Sequence, residues 1–413
     1  MTTAQPASQQ SPWISVWLKP RQTIEHVLAT QPRQRVWLLA SLGAIAGFAG
    51  QILGFGLTSQ LFDWRVLLAL VVAGVIYGIV SLYPAALVFG WIGRLLGGRA
   101  SLVDLRAVLA WSTIPSILGL IVVTGILVAL AFFGGDGVVA ANRLSLLLRV
   151  IVGLCGLWSF VVLLLMLSRV LGFGFWRALA TYMLGLILPF LIAFVIRTFL
   201  FQPFSSPSGS MAPTLLVGDY YFVSKYAYGY SHYSLPFSPR LFSGRILGSE
   251  PARGDVAVFR LPKDDSVGYV KRVVGLPGDR IQMEQGLLYI NDVAVARERL
   301  ADFVGANPCG SDPDVHVKRW RETLPNGVSY ETLDCIDDGF YDNTIIYAVP
   351  AGRFFLIGDN RDNSTDSRVL SAVGYVPLEN FIGRVGMIFY SKADGSEATA
   401  SAVRSERLGT IVH

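Results

Sequence analysis

The chain has 413 residues, 53% of them hydrophobic and only 15% charged, against roughly 45 to 50% and about 25% in ordinary soluble domains. That balance excludes a disordered or collagen-like chain and a simple soluble enzyme, and the length calls for more than one domain. The formal net charge of +5 conceals two halves: residues 1–201 hold 13 Lys and Arg against 4 Asp and Glu, whereas residues 202–413 hold 21 against 25. The positive excess belongs to loops of the apolar half and gives no ground for a nucleic-acid partner.

The first 35 residues are polar, rich in Gln and Pro, and lack the apolar core of a cleavable signal peptide, so no removal is expected there. Five apolar runs follow, at about Val36 to Leu57, Val66 to Ile92, Val108 to Phe133, Leu147 to Leu167 and Ala178 to Phe201, each near the roughly 20 residues that a spanning helix needs. With the N-terminus in the cytoplasm, the inside segments carry Lys19, Arg21, Arg33, Arg35, Arg94, Arg99, Arg106, Arg169 and Arg177; the outside loops carry Arg65, Arg143 and Arg149. This asymmetry follows the positive-inside rule, and an odd number of spans places everything after Phe201 outside the cytoplasm. Arg197 sits within the last run, where a long side chain snorkels to the outer interface. No run carries a carboxylate pair or a histidine chain, which argues against a pump or ion-coupled transporter.

Asp104 and Arg106 read as part of a solvated loop before a Pro-kinked helix, within RLLGGRASLVDLRAVLAWSTIP (Arg94 to Pro115). That stretch and WLKPRQTIEHVLATQP (Trp17 to Pro32) resemble the Yip family of multi-span membrane proteins, over roughly residues 12 to 190. The resemblance is diffuse and implies no catalytic residues.

After Phe201 the pattern changes to short β-rich runs separated by Gly, Pro, Asn and Asp. Strands are expected at Tyr220 to Lys225, Asp255 to Arg260, Gly268 to Gly275, Arg280 to Met283, Leu287 to Asn291, Thr344 to Val349, Phe354 to Gly358 and Gly383 to Tyr390. QGLLYINDV and GLPGDRI supply turn chemistry at plausible hairpin points. The fold class is therefore a multi-span α-helical membrane region followed by a mostly β exported domain. Its divisions are a cytoplasmic segment 1–35, a membrane region 36–180 with about four helices, a fifth helix at 178–201 and an extracytoplasmic β-rich domain 202–413. Cys309 and Cys335 fall in that last part. Outside the cytoplasm a disulfide between them is allowed, worth about 3 kcal/mol in the chain-entropy model, with two free thiols as the alternative. Of the histidines here, His232 and His316 lie well inside and His413 is terminal, too few for a zinc site or a Ser-His-Asp triad.

Three segments could carry chemistry. Pro207-Ser208-Gly209-Ser210-Met211-Ala212-Pro213-Thr214 puts a hydroxyl beside Gly just after the last apolar run; alone it reads as a linker. In Tyr269-Val270-Lys271-Arg272-Val273-Val274, strand alternation sets Lys271 on one face with Tyr269 and Val273, and Arg272 on the other. A lysine on an apolar face is desolvated, which lowers its pKa and suits it to act as a general base, whereas on an edge strand it would reach water. The third, Gly358-Asp359-Asn360-Arg361-Asp362-Asn363-Ser364-Thr365-Asp366-Ser367-Arg368, is either a solvated loop or a packed polar network. Asp366 and Arg368 suit an ion pair there, and Ser364 a hydrogen bond that orients an amine.

Together SGSMAPTL, RGDVAVF (Arg253 to Phe259), GYVKRVVGLPGD and GDNRDNSTDSR resemble the ordered boxes of bacterial type I signal peptidase, or leader peptidase, over about residues 185 to 390. The resemblance implies a serine endopeptidase with Ser210 as nucleophile and Lys271 as general base. It implies an oxyanion hole from the Ser210 backbone N–H and the Ser208 hydroxyl, Ser364 as the residue positioning Lys271, and Asp366 and Arg368 as support. Met211 is a candidate substrate contact. The implied substrates are signal peptides of exported preproteins, cut after small residues in an Ala-X-Ala pattern and docked as an added strand. No metal or organic cofactor is implied. The implied setting is the bacterial inner membrane, with the catalytic domain on the periplasmic face and the secretion translocon as a further candidate partner.

The aromatic-rich YAYGYSHYSLPFSPRLF (Tyr226 to Phe242) is a candidate for lipid-surface contact through Tyr230, Tyr233 and Phe237, or else a packed loop. Members of the signal peptidase family typically have one or two spans, whereas about four precede the last one here. That difference keeps open a specialised peptidase for pilin or conjugation substrates, and a non-enzymatic membrane scaffold with an exported binding domain.

Overall fold

The computed structural model describes residues 11–57, 60–61, 63–133, 144–304, 309, 317–393 and 403–412. Arg143, His316 and His413 lie outside these. The chain divides into two units, Met1–Leu191 and Ile192–His413.

The first unit is helical: α1 (Pro12–Leu18), α2 (Pro20–Thr30), α3 (Val36–Gly54), α4 (Trp64–Leu95), α5 (Leu102–Trp111), α6 (Ile114–Phe133), α7 (Ser145–Leu171) and α8 (Phe175–Val195), the last crossing into the second unit. Five stretches are long and apolar enough to cross a membrane, Val36–Gly54, Trp64–Leu95, Leu102–Leu130, Ser145–Leu171 and Phe175–Leu200. Each of the five apolar runs falls on one of them. Part of the polar entry segment is helical and packed: Val16, Ile24 and Val27 join the same core as Leu39, Val108 and Met166. A Cβ built on Gly78 would lie 2.5 Å from the Ala40 carbonyl oxygen, so α3 and α4 approach to a distance that only glycine permits. Asp104 is not a loop residue: it completes a capping box with Ser101 at the start of α5, while Arg106 lies over the Tyr83 ring.

The second unit is built from fourteen strands among the described residues. These are β1 (Phe201–Ser205), β2 (Asp219–Ser224), β3 (Val256–Leu261), β4 (Asp264–Gly275), β5 (Arg280–Glu284), β6 (Leu287–Ile290), β7 (Val293–Ala294), β8 (Ala296–Arg299), β9 (Lys318–Thr323), β10 (Ser329–Asp334), β11 (Tyr347–Ala348), β12 (Arg353–Ile357), β13 (Val376–Pro377) and β14 (Phe381–Ser391). Seven form an antiparallel sheet in the order β1-β2-β14-β3-β4-β12-β13. Two smaller sheets run β11-β5-β6-β7 and β10-β9-β8. The turns at Gln285-Gly286 and Asn291-Asp292 both take positive φ, as the tight hairpins joining β5, β6 and β7 require.

Position in the large sheet decides the environment of Lys271. Strand β4 lies between β3 and β12, with Ala257 opposite Lys271 and Ile357 opposite Arg272. Tyr269 and Val273 pack with Phe259, Phe354 and Phe381, whereas Val274 faces a separate core with Ile281 and Leu288. An interior strand offers no edge from which a lysine can reach water, and Lys271 is 3% exposed.

Candidate active site

The loop between β1 and β2 carries Ser210 on a single turn of 3-10 helix, Gly209–Met211. It lies ten positions after Leu200, the end of the last apolar stretch. Both flanks of this loop are fixed. On one side Asn360 donates from its backbone N–H to the Ser210 carbonyl and from its side-chain amide to the Gly209 carbonyl. On the other, buried Asp219 accepts from the Leu216 backbone N–H, Ser391 and Arg407, and Arg407 also donates to the Thr214 carbonyl. A Cβ on Gly358 would sit 2.2 Å from Ser364 Oγ and 2.6 Å from the Ser210 carbonyl oxygen. Glycine is required there for the third segment to close against the serine loop.

This closure brings Ser210 and Lys271, 61 positions apart, into a hydrogen bond of 2.6 Å between Oγ and Nζ. Ser208 Oγ lies 3.3 Å from Ser210 Oγ. Ser210 itself is 8% exposed, at the boundary between the interior and solvent.

In the buried polar network that includes the third segment, three guanidinium groups are each matched to one carboxylate. Arg272 holds Asp359 with two bonds of 2.8 Å, Arg361 holds Glu322 at 2.9 and 2.5 Å, and Arg368 holds Asp366 at 2.9 and 2.8 Å. All six side chains are almost completely buried. Bidentate geometry is what makes such pairs tolerable away from water. Lys271 has no carboxylate within ion-pair distance among the described residues. Burial lowers its pKa to about 8; Asp366 and Asp359 oppose the shift and Arg368 adds to it. For Asp366, burial alone would raise the pKa, but Arg368, the Gly358 N–H and the Ser364 hydroxyl together hold it below the ordinary value. The anion thus stays charged while the amine is poised to lose its proton near neutral pH.

The expected residues do not all stand where the sequence placed them. Ser364 donates to Asp366 at 2.7 Å rather than to Lys271, so its influence on the amine runs through that carboxylate. Met211 is not on the accessible surface: it is fully buried in a core with Val223, Val258 and Ile382, because the 3-10 turn points it inward. Cys309 and Cys335 are joined in a disulfide with Cα atoms 5.9 Å apart. His232 is hydrogen-bonded to Glu379. The sequence reading missed Arg272, Asp359, Asn360 and Glu322. Arg272 adjoins Lys271 on the opposite face of the strand, and that alternation was the one available signal for a second buried cation.

Two family models match this chain: signal peptidase, peptidase S26, over residues 179–390, and the Yip1 domain over residues 14–197. Signal peptidase I of Rickettsia typhi is 45% identical over 208 residues, covering 48% of this chain and 76% of that protein. Signal peptidase I of Rickettsia prowazekii is 44% identical over the same length and coverage. A crystal structure of a signal peptidase I from Enterococcus faecalis V583 is also similar, at 24% identity and a TM-score of 0.20, covering 33% of this chain and 97% of that one. A multi-pass membrane protein with a serine endopeptidase domain is thereby defined. The chain belongs to the type I signal peptidases of family S26, and its N-terminal region, residues 14–197, is similar to the Yip1 domain.

The buried ion pairs give a stability prediction. Asp359→Asn strands the Arg272 charge in the interior, and loss of one partner from such a pair costs roughly 3 to 5 kcal/mol. Thermal unfolding of the full-length variant is expected to shift clearly downward; an unchanged transition would show that the pair is not structurally important.

Proposed function

We propose that this chain removes signal peptides from exported preproteins with Ser210 as nucleophile and Lys271 as general base. The observation that carries the reading is the 2.6 Å contact between a serine hydroxyl and a buried amine that has no carboxylate of its own. A serine hydroxyl is a weak nucleophile until a base within hydrogen-bond reach takes its proton. Neutral Lys271 accepts the Oγ proton as Oγ attacks the scissile carbonyl carbon. The resulting tetrahedral oxyanion is held by the Ser210 backbone N–H and the Ser208 hydroxyl. Collapse expels the mature chain's amine, which takes the proton back from Lys271, and leaves the signal peptide esterified to Ser210. Water, deprotonated by the same amine, then hydrolyses the ester. Asp366, Arg368 and Ser364 act on the lysine's electrostatics without touching substrate.

Small residues at the cut, in an Ala-X-Ala pattern, and docking of the peptide as an added strand belong to the same reading, as do the bacterial inner membrane and the periplasmic face. Support for that side comes from the excess of basic residues in the N-terminal segment and in the second and fourth inter-helix loops of the sequence. The secretion translocon remains a partner proposed from the substrate class alone. The scaffold alternative leaves the Ser210–Lys271 contact without a purpose.

Detergent-solubilised full-length protein is expected to cut a purified preprotein once, after the final Ala of an Ala-X-Ala site, as mapped by mass spectrometry. Ser210→Ala and Lys271→Ala should abolish the cut, and Ser208→Ala should slow it by about 100- to 1,000-fold, the loss of one oxyanion donor. Preserved cleavage in either of the first two would refute the dyad.

The pH dependence has a definite sign. Only the neutral amine works as the base, so kcat/KM should climb about tenfold per unit below pH ~8 and level off above it. A flat profile between pH ~6 and ~9 would contradict the role of Lys271. Because the folded pKa lies below the unfolded one, the unfolded chain binds more protons between about 8 and 10.5, and this group's contribution to stability rises with pH across that window.

A further inference from the structure

A second cluster of cations lies at the start of the peptidase unit, outside the proposed catalytic group. It surrounds a cavity of about 620 Å³ lined by Arg197 and Thr198 at the end of the last apolar stretch, and by Phe204, Lys225, Phe237 and Arg260 from the β domain. Among the described residues, no acidic side chain lines it. None of Arg197, Lys225 and Arg260 makes an ion pair among the described residues, in contrast to the three matched arginines of the catalytic region.

The hydrogen-bond inventory is equally one-sided. Lys225 is 3% exposed, and its Nζ reaches a single acceptor, the Ser234 carbonyl, at 2.5 Å. Thr198 Oγ1 and Arg260 Nε are buried without a hydrogen-bond partner among the described residues, while Arg260 Nη1 donates to the Ser266 carbonyl. Leaving buried donors unmade is costly, so a cavity with surplus positive charge and surplus donors fits an anion that carries several oxygens. Burial, followed by Arg197 and Arg260, lowers the Lys225 pKa to about 8, a shift that a bound anion would reverse.

We propose that this cavity binds the phosphate of an anionic phospholipid. Arg197 and Thr198 stand where an apolar helix gives way to a polar chain, the level of lipid headgroups. Phe204 is half-buried and Phe237 fully exposed, so the same cavity offers apolar surface for the glycerol and upper acyl chain. Uncompensated cations favour a net-negative headgroup over a zwitterionic one, whose own cation would be repelled.

The test uses full-length protein in detergent, titrated with phosphatidylglycerol or with phosphatidylcholine of the same acyl chains, and read by native mass spectrometry. Wild type and Ser210→Ala should both retain one phosphatidylglycerol in preference to phosphatidylcholine, because binding does not depend on cleavage. Arg260→Gln should weaken that retention by about tenfold, the scale of one charge-assisted contact, and Thr198→Val should weaken it less. Both variants should still cut preprotein in lipid-free detergent, which confirms that they are folded. Equal retention of the two lipids by wild type, or equal retention of phosphatidylglycerol by wild type and Arg260→Gln, would overturn the site. Displacement of the lipid by millimolar inorganic phosphate would overturn the lipid as its source and assign the cavity to free phosphate.

Discussion

The peptidase unit is organised around one costly arrangement, a lysine amine taken out of water beside a serine hydroxyl. An ammonium ion with a single hydrogen-bond partner is poorly accommodated in an interior, and an adjacent carboxylate would fix its charge. The fold gives each of the carboxylates that bear on the amine to an arginine instead, Asp359 to Arg272 and Asp366 to Arg368, and pairs Glu322 with Arg361 in the same buried network. With Lys271 neutral, these buried charges balance. Arginine is suited to the paired positions because it cannot lose its proton, and lysine to the remaining one because it can.

The same pairs hold the backbone that carries Ser210. Asp359 also accepts from Thr214, four residues beyond Ser210. Its neighbour Asn360 bonds the serine loop, and Arg361 N–H continues the chain onto the Leu333 carbonyl of β10. Strand β4 brings Lys271 from the large sheet and β9 brings Glu322 from a small one, so the electrostatics of the amine and the placement of the hydroxyl depend on common residues. A substitution in this network is therefore felt both in stability and in the geometry of the 2.6 Å contact.

Much of this was legible in the chain. Five apolar runs located the five long helices, and the alternation in Tyr269 to Val274 put Lys271 and Arg272 on opposite faces. Short motifs with Gly and Pro located the serine loop. What escaped had physical reasons. Strands β8, β9 and β10 carry ARER, KRWRET and SYETLD, whose charges mask a β pattern; one of those charges, Glu322, is completely buried because its partner Arg361 lies 39 positions away. The expected strand from Thr344 to Val349 shrinks to Tyr347–Ala348, since Thr344 instead uses its hydroxyl and backbone to bind β5. Phe201 ended the last apolar run and no strand was expected before Tyr220, yet Phe201–Ser205 pairs with β2 throughout its length. Met211 beside the serine was expected to face substrate, but nothing local in the sequence records which way a 3-10 turn points its side chains.

The central claim, that burial without a carboxylate partner leaves Lys271 free to shed its proton near neutrality, is tested most directly by titrating the amine itself. Full-length protein labelled at lysine Cε, compared with Lys271→Met to assign the resonance, would report the midpoint by NMR. The account predicts a midpoint near 8. A midpoint at the ordinary value of about 10.5, with the amine still charged where the enzyme works, would contradict it.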